Sequence, residues 1–222
     1  MNRILLSGDD DLDNIVIDED SEMLIELDNN SKNINIIIEK DTCLSIVEMN
    51  LNTNNNYTIT LKENGRLIYN KASRDVSDRI LINLDGEGAS VSMNSSIVNC
   101  KNSTCHFEVR HNADSTTSLF SNHGVNTSCD ELVFKIDAYV PAGSKMCKTN
   151  QQNKIINMNS GKSVILPNLI IDTDDVEAAH SAYIGNFDKD MLFYMKSRGL
   201  SDNESRKLLL GKYFKSFFLS NL

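Results

Sequence analysis

The chain has 222 residues, 40% of them hydrophobic, with 22 basic against 31 acidic side chains and a net charge of −9. That apolar content argues against wholesale disorder, and the acidic balance argues against a nucleic-acid or anionic-membrane surface, since both need clustered Lys and Arg. No apolar run approaches the roughly 20 residues of a membrane-spanning helix. The start, Met1 to Gly8, is too short an apolar stretch for a secretory signal and acid follows at once, so a cytoplasmic location is expected.

Taken in chain order, the first 186 residues read as short strands separated by Asn, Asp, Gly and Ser clusters. Alternating apolar and polar residues predict strands over 14–17, 23–27, 34–38, 44–47 and 57–61. Further ones are predicted over 66–69, 79–84, 89–93, 107–111, 132–136 and 164–166. A spacing of roughly 8–12 residues suits a sandwich, a barrel or a β-solenoid. Two features favour the solenoid. Asparagine fills the turns, where it tolerates left-handed backbone and can stack between coils. Proline is confined to Pro141 and Pro167, as expected where nearly every strand is paired on both sides. No strict repeat of fixed length is visible.

Beyond residue 186 the pattern changes, which divides the chain into a β-domain (1–186) and a helical segment (187–222). Residues 188–199 predict a helix with acids in its first turn, ending on Arg198 and Gly199. Ser201 and Glu204 form a capping box for a second helix. Its stripe is Leu208, Leu209, Leu210, Tyr213, Phe214, Phe217 and Phe218. An aromatic-rich stripe at a terminus serves either as packing on the β-domain or as a docking surface for another protein.

Signals for chemistry are sparse. The five cysteines (Cys43, Cys100, Cys105, Cys129 and Cys147) include no CxxC pair, so free, mostly buried thiols are expected rather than a zinc ribbon or a ferredoxin-type cluster. Of His106, His111, His123 and His180, the last stands out, because Asp172, Asp174 and Asp175 precede it and imidazole with carboxylate can ligate ferrous iron. The nucleophile elbow, phosphate-cradling loop, HExxH and dinucleotide fingerprint are all missing. A β-solenoid acting on carbohydrate through paired carboxylates is the enzyme alternative, although the chain has no Trp for sugar stacking.

One stretch carries a specific likeness. The run Pro167-Asn168-Leu169-Ile170-Ile171-Asp172-Thr173-Asp174-Asp175-Val176, continued by His180, Ala182 and Gly185, resembles a motif of the SufB/SufD family. Leu192-Phe193-Tyr194-Met195-Lys196-Ser197-Arg198-Gly199-Leu200 is similar to that family's first C-terminal helix, and His111 and Gln151-Gln152-Asn153 sit at matching places upstream. The resemblance implies a right-handed parallel β-helix and a non-catalytic scaffold role in SUF iron–sulfur cluster assembly. It implies that C-terminal helices bind a SufC-type ABC ATPase, and that the chain pairs as a homodimer or as a heterodimer with a SufB/SufD-type subunit. On this basis Leu192, Phe193, Tyr194, Arg198, Gly199, Tyr213 and Phe214 are the expected partner-binding residues. His180 is the expected iron or cluster ligand at the subunit interface. Iron or a cluster would be held there only transiently, and none tightly bound is expected in the isolated chain. SufB carries a cysteine at the position of Gly161 and acidic residues around the histidine, whereas Ala179 and Ser181 flank His180 here; both departures point to a SufD-like role. The chain is short for the family, with the usual N-terminal helical region expected to be lacking. A degenerate member that serves only as a structural partner is the alternative within the family.

Overall fold

The computed structural model describes residues 2–7, 14–158, 160–186 and 189–219, with the side chains of residues 210 and 212–219 outside the description. The strands are β1 (Asn2–Leu6), β2 (Asn14–Ile17), β3 (Ser21–Ile25), β4 (Asn33–Ile38), β5 (Cys43–Glu48), β6 (Asn56–Leu61), β7 (Arg66–Arg74) and β8 (Arg79–Leu84). They continue with β9 (Ser90–Asn99), β10 (Ser103–His111), β11 (Thr117–Asn126), β12 (Glu131–Val140), β13 (Cys147–Asn157), β14 (Lys162–Ile171) and β15 (Val176–Asn186). Two helices follow, α1 (Lys189–Ser197) and α2 (Asp202–Leu219). None of the described helices is long and apolar enough to cross a membrane.

Odd-numbered strands stack in sequence in one sheet and even-numbered strands in the other, each parallel to its neighbours. The chain therefore changes sheet after every strand, which makes the fold a parallel β-solenoid, as the alternating pattern and the turn composition predict. Pro167 lies on β14, the last strand of its sheet, where a missing N–H costs least.

Two turn corners explain the asparagines. One stacks Asp41, Asn64, Gly88, Ser115 and Met146, all at positive φ, and the other stacks Asn29, Asn52 and Asp75. At each, the amide of the left-handed residue donates to a carbonyl of the next coil, as from Asn29 to Leu51 at 3.0 Å and from Asn52 to Arg74 at 3.0 Å. Asparagine and aspartate enter this region at low cost. Side chains add rungs, such as Asn64 Nδ2 to Asp41 Oδ1 at 2.8 Å, 23 residues away. That 23-residue step is regular through the early coils and widens to 27 and then 31 further on, as the strands lengthen. A drifting step with varied side chains hides the repeat from the sequence.

Alternation along each strand sends every second side chain inward. From the even sheet come Ile34, Ile36, Ile38, Ile59, Leu61, Phe107, Phe134 and Ile136, all buried. The odd sheet differs. In register, Glu48, Lys71, Ser95, Asn122 and Asn153 form an inward polar column. At its start, Lys71 Nζ donates to Asp78 Oδ2 at 2.7 Å and also to Glu48, with all three side chains inaccessible. Tyr69, Tyr57 and Asn50 donate to the Glu48 carboxylate as well, and Asp78 accepts from Thr53 and from the Asn55 amide. Burial pushes the Glu48 carboxyl upward, whereas the carboxylates of Asp78 and Glu48 overcome burial at Lys71 and hold its ammonium charged. Further along, Ser95 Oγ donates to Asn122 Oδ1 at 2.7 Å and Asn122 Nδ2 to Asn153 Oδ1 at 2.8 Å.

Candidate functional site at the open end of the solenoid

Parallel stacking leaves two end strands, and at the C-terminal end these are β14 and β15, with 10 and 11 residues. Their outer edges carry backbone donors and acceptors that no described strand satisfies, a template for another chain. The inward positions of this last turn face out of the open end instead of onto another coil. In register with the buried residues of β12 and β13 they are Ile165, Pro167 and Leu169 on β14, and Ala178, His180, Ala182 and Ile184 on β15. The result is an apolar end face, partly or fully exposed, with one imidazole in it. Sequence reasoning placed His180 correctly near a strand but missed β15, because Ala178 and Ala182 are too small to mark an apolar alternation.

The acids before His180 do not gather around it. Among the described residues, no group of three or more His, Cys, Asp and Glu side chains converges on a point that could hold a metal ion. Asp172 instead accepts from Tyr139 at 3.5 Å, and Asp174 and Asp175 are exposed in the turn before β15. The five cysteines are free, two buried, two half-buried and Cys129 exposed. A Cβ added at Gly161 would strike the Ser128 carbonyl oxygen, so this backbone has no room for a thiol there.

After β15, α1 and α2 form a hairpin packed on the odd sheet, with α2 against β9. Both predicted caps are present. The Gly199 amide donates to Lys196 O at 3.0 Å with Gly199 at φ +91°, and Glu204 Oε2 accepts from the Ser201 amide at 2.8 Å while Ser201 Oγ accepts from the Glu204 amide at 3.2 Å. The hairpin sorts its apolar residues by side. Leu192 and Met195 pack with Ile156, Met158 and Leu209 in the joint to the solenoid. Phe193 is 75% exposed, Tyr194 56% and Leu208 56%. The exposed Arg198 guanidinium lies 5.3 Å from the centre of the Tyr194 ring, a cation–π pair that fixes the edge of this patch. The side chains of Leu210, Tyr213, Phe214, Phe217 and Phe218 lie outside the described residues.

Of the remaining histidines, His111 and His106 have local partners. His111 is buried between Thr116 Oγ1 at 2.7 Å and Ser118 Oγ at 2.9 Å, and burial lowers its pKa to about 4. His123 is also lowered, by burial and by Lys154. His106 Nε2 meets Asp137 Oδ2 at 2.7 Å in a groove of about 530 Å³ on the outer face of the even sheet. Two carboxylates line that groove. Burial would raise Glu108, but hydrogen bonds from Arg110 and Arg79 hold it below the usual range; at Asp137, bonds from Asn168, His106 and Lys135 outweigh burial in the same way. Both carboxyls are thereby biased toward their charged forms.

Comparison with known proteins places this architecture. The chain is 25% identical over 131 residues to the iron-sulfur cluster assembly protein SufD of Bacillus subtilis, covering 58% of this chain and 30% of that protein. Identity to SufD of Escherichia coli is 26% over 132 residues, 57% of this chain and 31% of that protein. A SufBD family protein of Synechocystis is 31% identical over 84 residues, 37% of this chain and 18% of that protein. These matches span less than a third of the relatives' own lengths. The model of the SUF system FeS cluster assembly SufBD core domain matches residues 15–212, nearly the whole solenoid and most of the helix pair, and the chain therefore belongs to the SufB/SufD family.

Proposed function

We propose that the chain is a non-catalytic, SufD-like scaffold subunit of SUF iron–sulfur cluster assembly, working in the cytoplasm. Its open end pairs with a SufB/SufD-type subunit or with a second copy, and its helix hairpin docks a SufC-type ABC ATPase. His180 faces the pairing surface and offers a neutral imidazole to iron or a nascent cluster, which is cargo rather than a resident cofactor. The observation that carries this reading is the last turn, where an apolar face, two long strand edges that no described strand pairs and one histidine coincide. A second strand-edged subunit would satisfy those edges and bury the apolar face in one step. Because no group of three or more His, Cys, Asp and Glu side chains gathers at His180 among the described residues, the remaining ligands would come from the partner or from the cargo.

The hairpin supports the second contact. Phe193 and Tyr194 are large, exposed and held on a capped helix whose other side is anchored by Leu192 and Leu209, the arrangement of interface anchors. The test is co-purification with the SufC-type ATPase of the same cell. The wild type should hold the ATPase and the Phe193→Ala/Tyr194→Ala variant should lose it by at least roughly tenfold in affinity, since paired aromatic anchors contribute more than about 1.4 kcal/mol. A folded wild type that binds no ATPase would defeat this part of the proposal.

A further inference from the structure

Gln151 belongs to the Gln151-Gln152-Asn153 stretch, which neither the docking hairpin nor the apolar end face uses. It lies on β13 directly in register with His180 on β15, and its side chain is fully buried beneath the open end. Its amide nitrogen reaches across the interior to Asn168 O of β14 at 3.3 Å. Two residues on, Asn153 Nδ2 donates to Ser181 O of β15 at 3.3 Å, so this stretch ties both end strands to the coil below. The Gln151 carbonyl oxygen, Oε1, is buried and accepts no hydrogen bond. On the coil below, its register neighbour is Phe120, which has no donor to give. On the coil above, the inward positions of β15 are Val176, Ala178, His180, Ala182 and Ile184, and of these side chains only the imidazole carries an N–H.

We infer that Gln151 is a positioning residue for His180: its carbonyl accepts a hydrogen bond from one imidazole N–H, fixes the tautomer, and leaves the other ring nitrogen with its lone pair facing out of the open end. The His180 ring is exposed, so rotation about its side-chain torsions is free to close this contact. Histidines that donate to metals are commonly held in this way, by a carbonyl on the far nitrogen that sets orientation and raises basicity. The bond also satisfies a buried acceptor that otherwise has none. The purpose assigned to the device rests on the reading of His180 as a donor to cargo, but the device itself does not require iron to be present.

The test reads the tautomer directly. The full chain is labelled with nitrogen-15 histidine, and the two-bond proton–nitrogen couplings of His180 are recorded in metal-free buffer at a single pH well above the imidazole range. His180→Gln assigns the signal. The wild type should show one dominant tautomer. Gln151→Met, of similar shape without the carbonyl, should lose that dominance and show the averaged tautomers of a free imidazole. Gln151→Glu, which restores an acceptor, should recover the wild-type pattern. An averaged tautomer in the wild type overturns the inference without any variant, and so does an unchanged pattern in Gln151→Met. Iron uptake is measured separately, so a single tautomer in a protein that never takes up iron would refute the cargo role while leaving the positioning role standing.

Discussion

At the residue scale, the solenoid interior holds charge that the even sheet would not tolerate. Lys71 is shared by Glu48 and Asp78 with every side chain inaccessible, so removing the cation leaves two carboxylates without their counterion. Lys71→Met should cost about 3–5 kcal/mol of unfolding free energy in urea titration, the range for breaking a buried ion pair on one side. The triple change Glu48→Gln/Lys71→Met/Asp78→Asn should cost far less, because no unpaired charge remains. His111 makes a prediction in pH. Its folded pKa is depressed by burial to about 4 from 6.5, so the folded state prefers the neutral ring. The stability linked to this preference is complete above pH 6.5 and is lost as pH falls toward 4, amounting to about 3 kcal/mol at the acid end. Glu108 and Asp137, also depressed, lose their contributions only below the ordinary carboxylate range, and His123 titrates in the same direction as His111. The difference in urea midpoint between wild type and His111→Gln across pH 6.5 to 4.5 isolates His111; a flat difference would refute the assignment.

At the element scale, each strand is held by neighbours on both sides except at the ends, whereas the described side chains of the helix hairpin meet the solenoid in a small joint. Leu209 is the buried centre of that joint, packed on Ile156 with Leu192 and Met195 beside it. Leu209→Ala should therefore loosen the hairpin by about 2 kcal/mol without touching the solenoid. Hydrogen exchange checks this: amides of α1 and the first turns of α2 should exchange faster, and those of β5 to β12 should not. Equal acceleration everywhere would mean that the hairpin and solenoid unfold as one unit. The capping box was legible in the sequence because it depends on residues three apart, and it formed as read. The sorting of Leu192 inward from Phe193 and Tyr194 outward was not, because it depends on which side of α1 meets Ile156.

At the scale of the whole molecule, two surfaces lie on different elements, and the proposed function uses them separately. Ala182 faces out of the open end in register with Asn153 and is exposed, so a charge there meets water in the monomer and a buried apolar face in a pair. Ala182→Glu should abolish pairing in sedimentation while changing unfolding free energy by less than about 0.5 kcal/mol. It should also leave ATPase co-purification intact, and Phe193→Ala/Tyr194→Ala should in turn leave pairing intact. Loss of both contacts in either variant would show that the surfaces are coupled.

The sequence by itself determined the strand-rich class, the left-handed asparagine corners, the two capped helices and the family motifs around His180, since each depends on neighbours a few residues apart. It did not reveal β1, β11, β13 and β15. β11 and β13 turn Ser118, Asn122, Thr149 and Asn153 inward, and a polar interior erases the alternation by which a strand is recognised, whereas in β15 the small Ala178 and Ala182 erase it. Only the tertiary structure decided that these polar residues stack into hydrogen-bonded columns, because their partners are 27 to 31 residues away. It also decided that the last coil is left uncovered, that the acids of the preceding turn do not gather around His180, and that Gln151 lies beneath it. Each of these is a consequence of register between coils, and register is set by the sum of turn lengths around the solenoid rather than by any local run of residues.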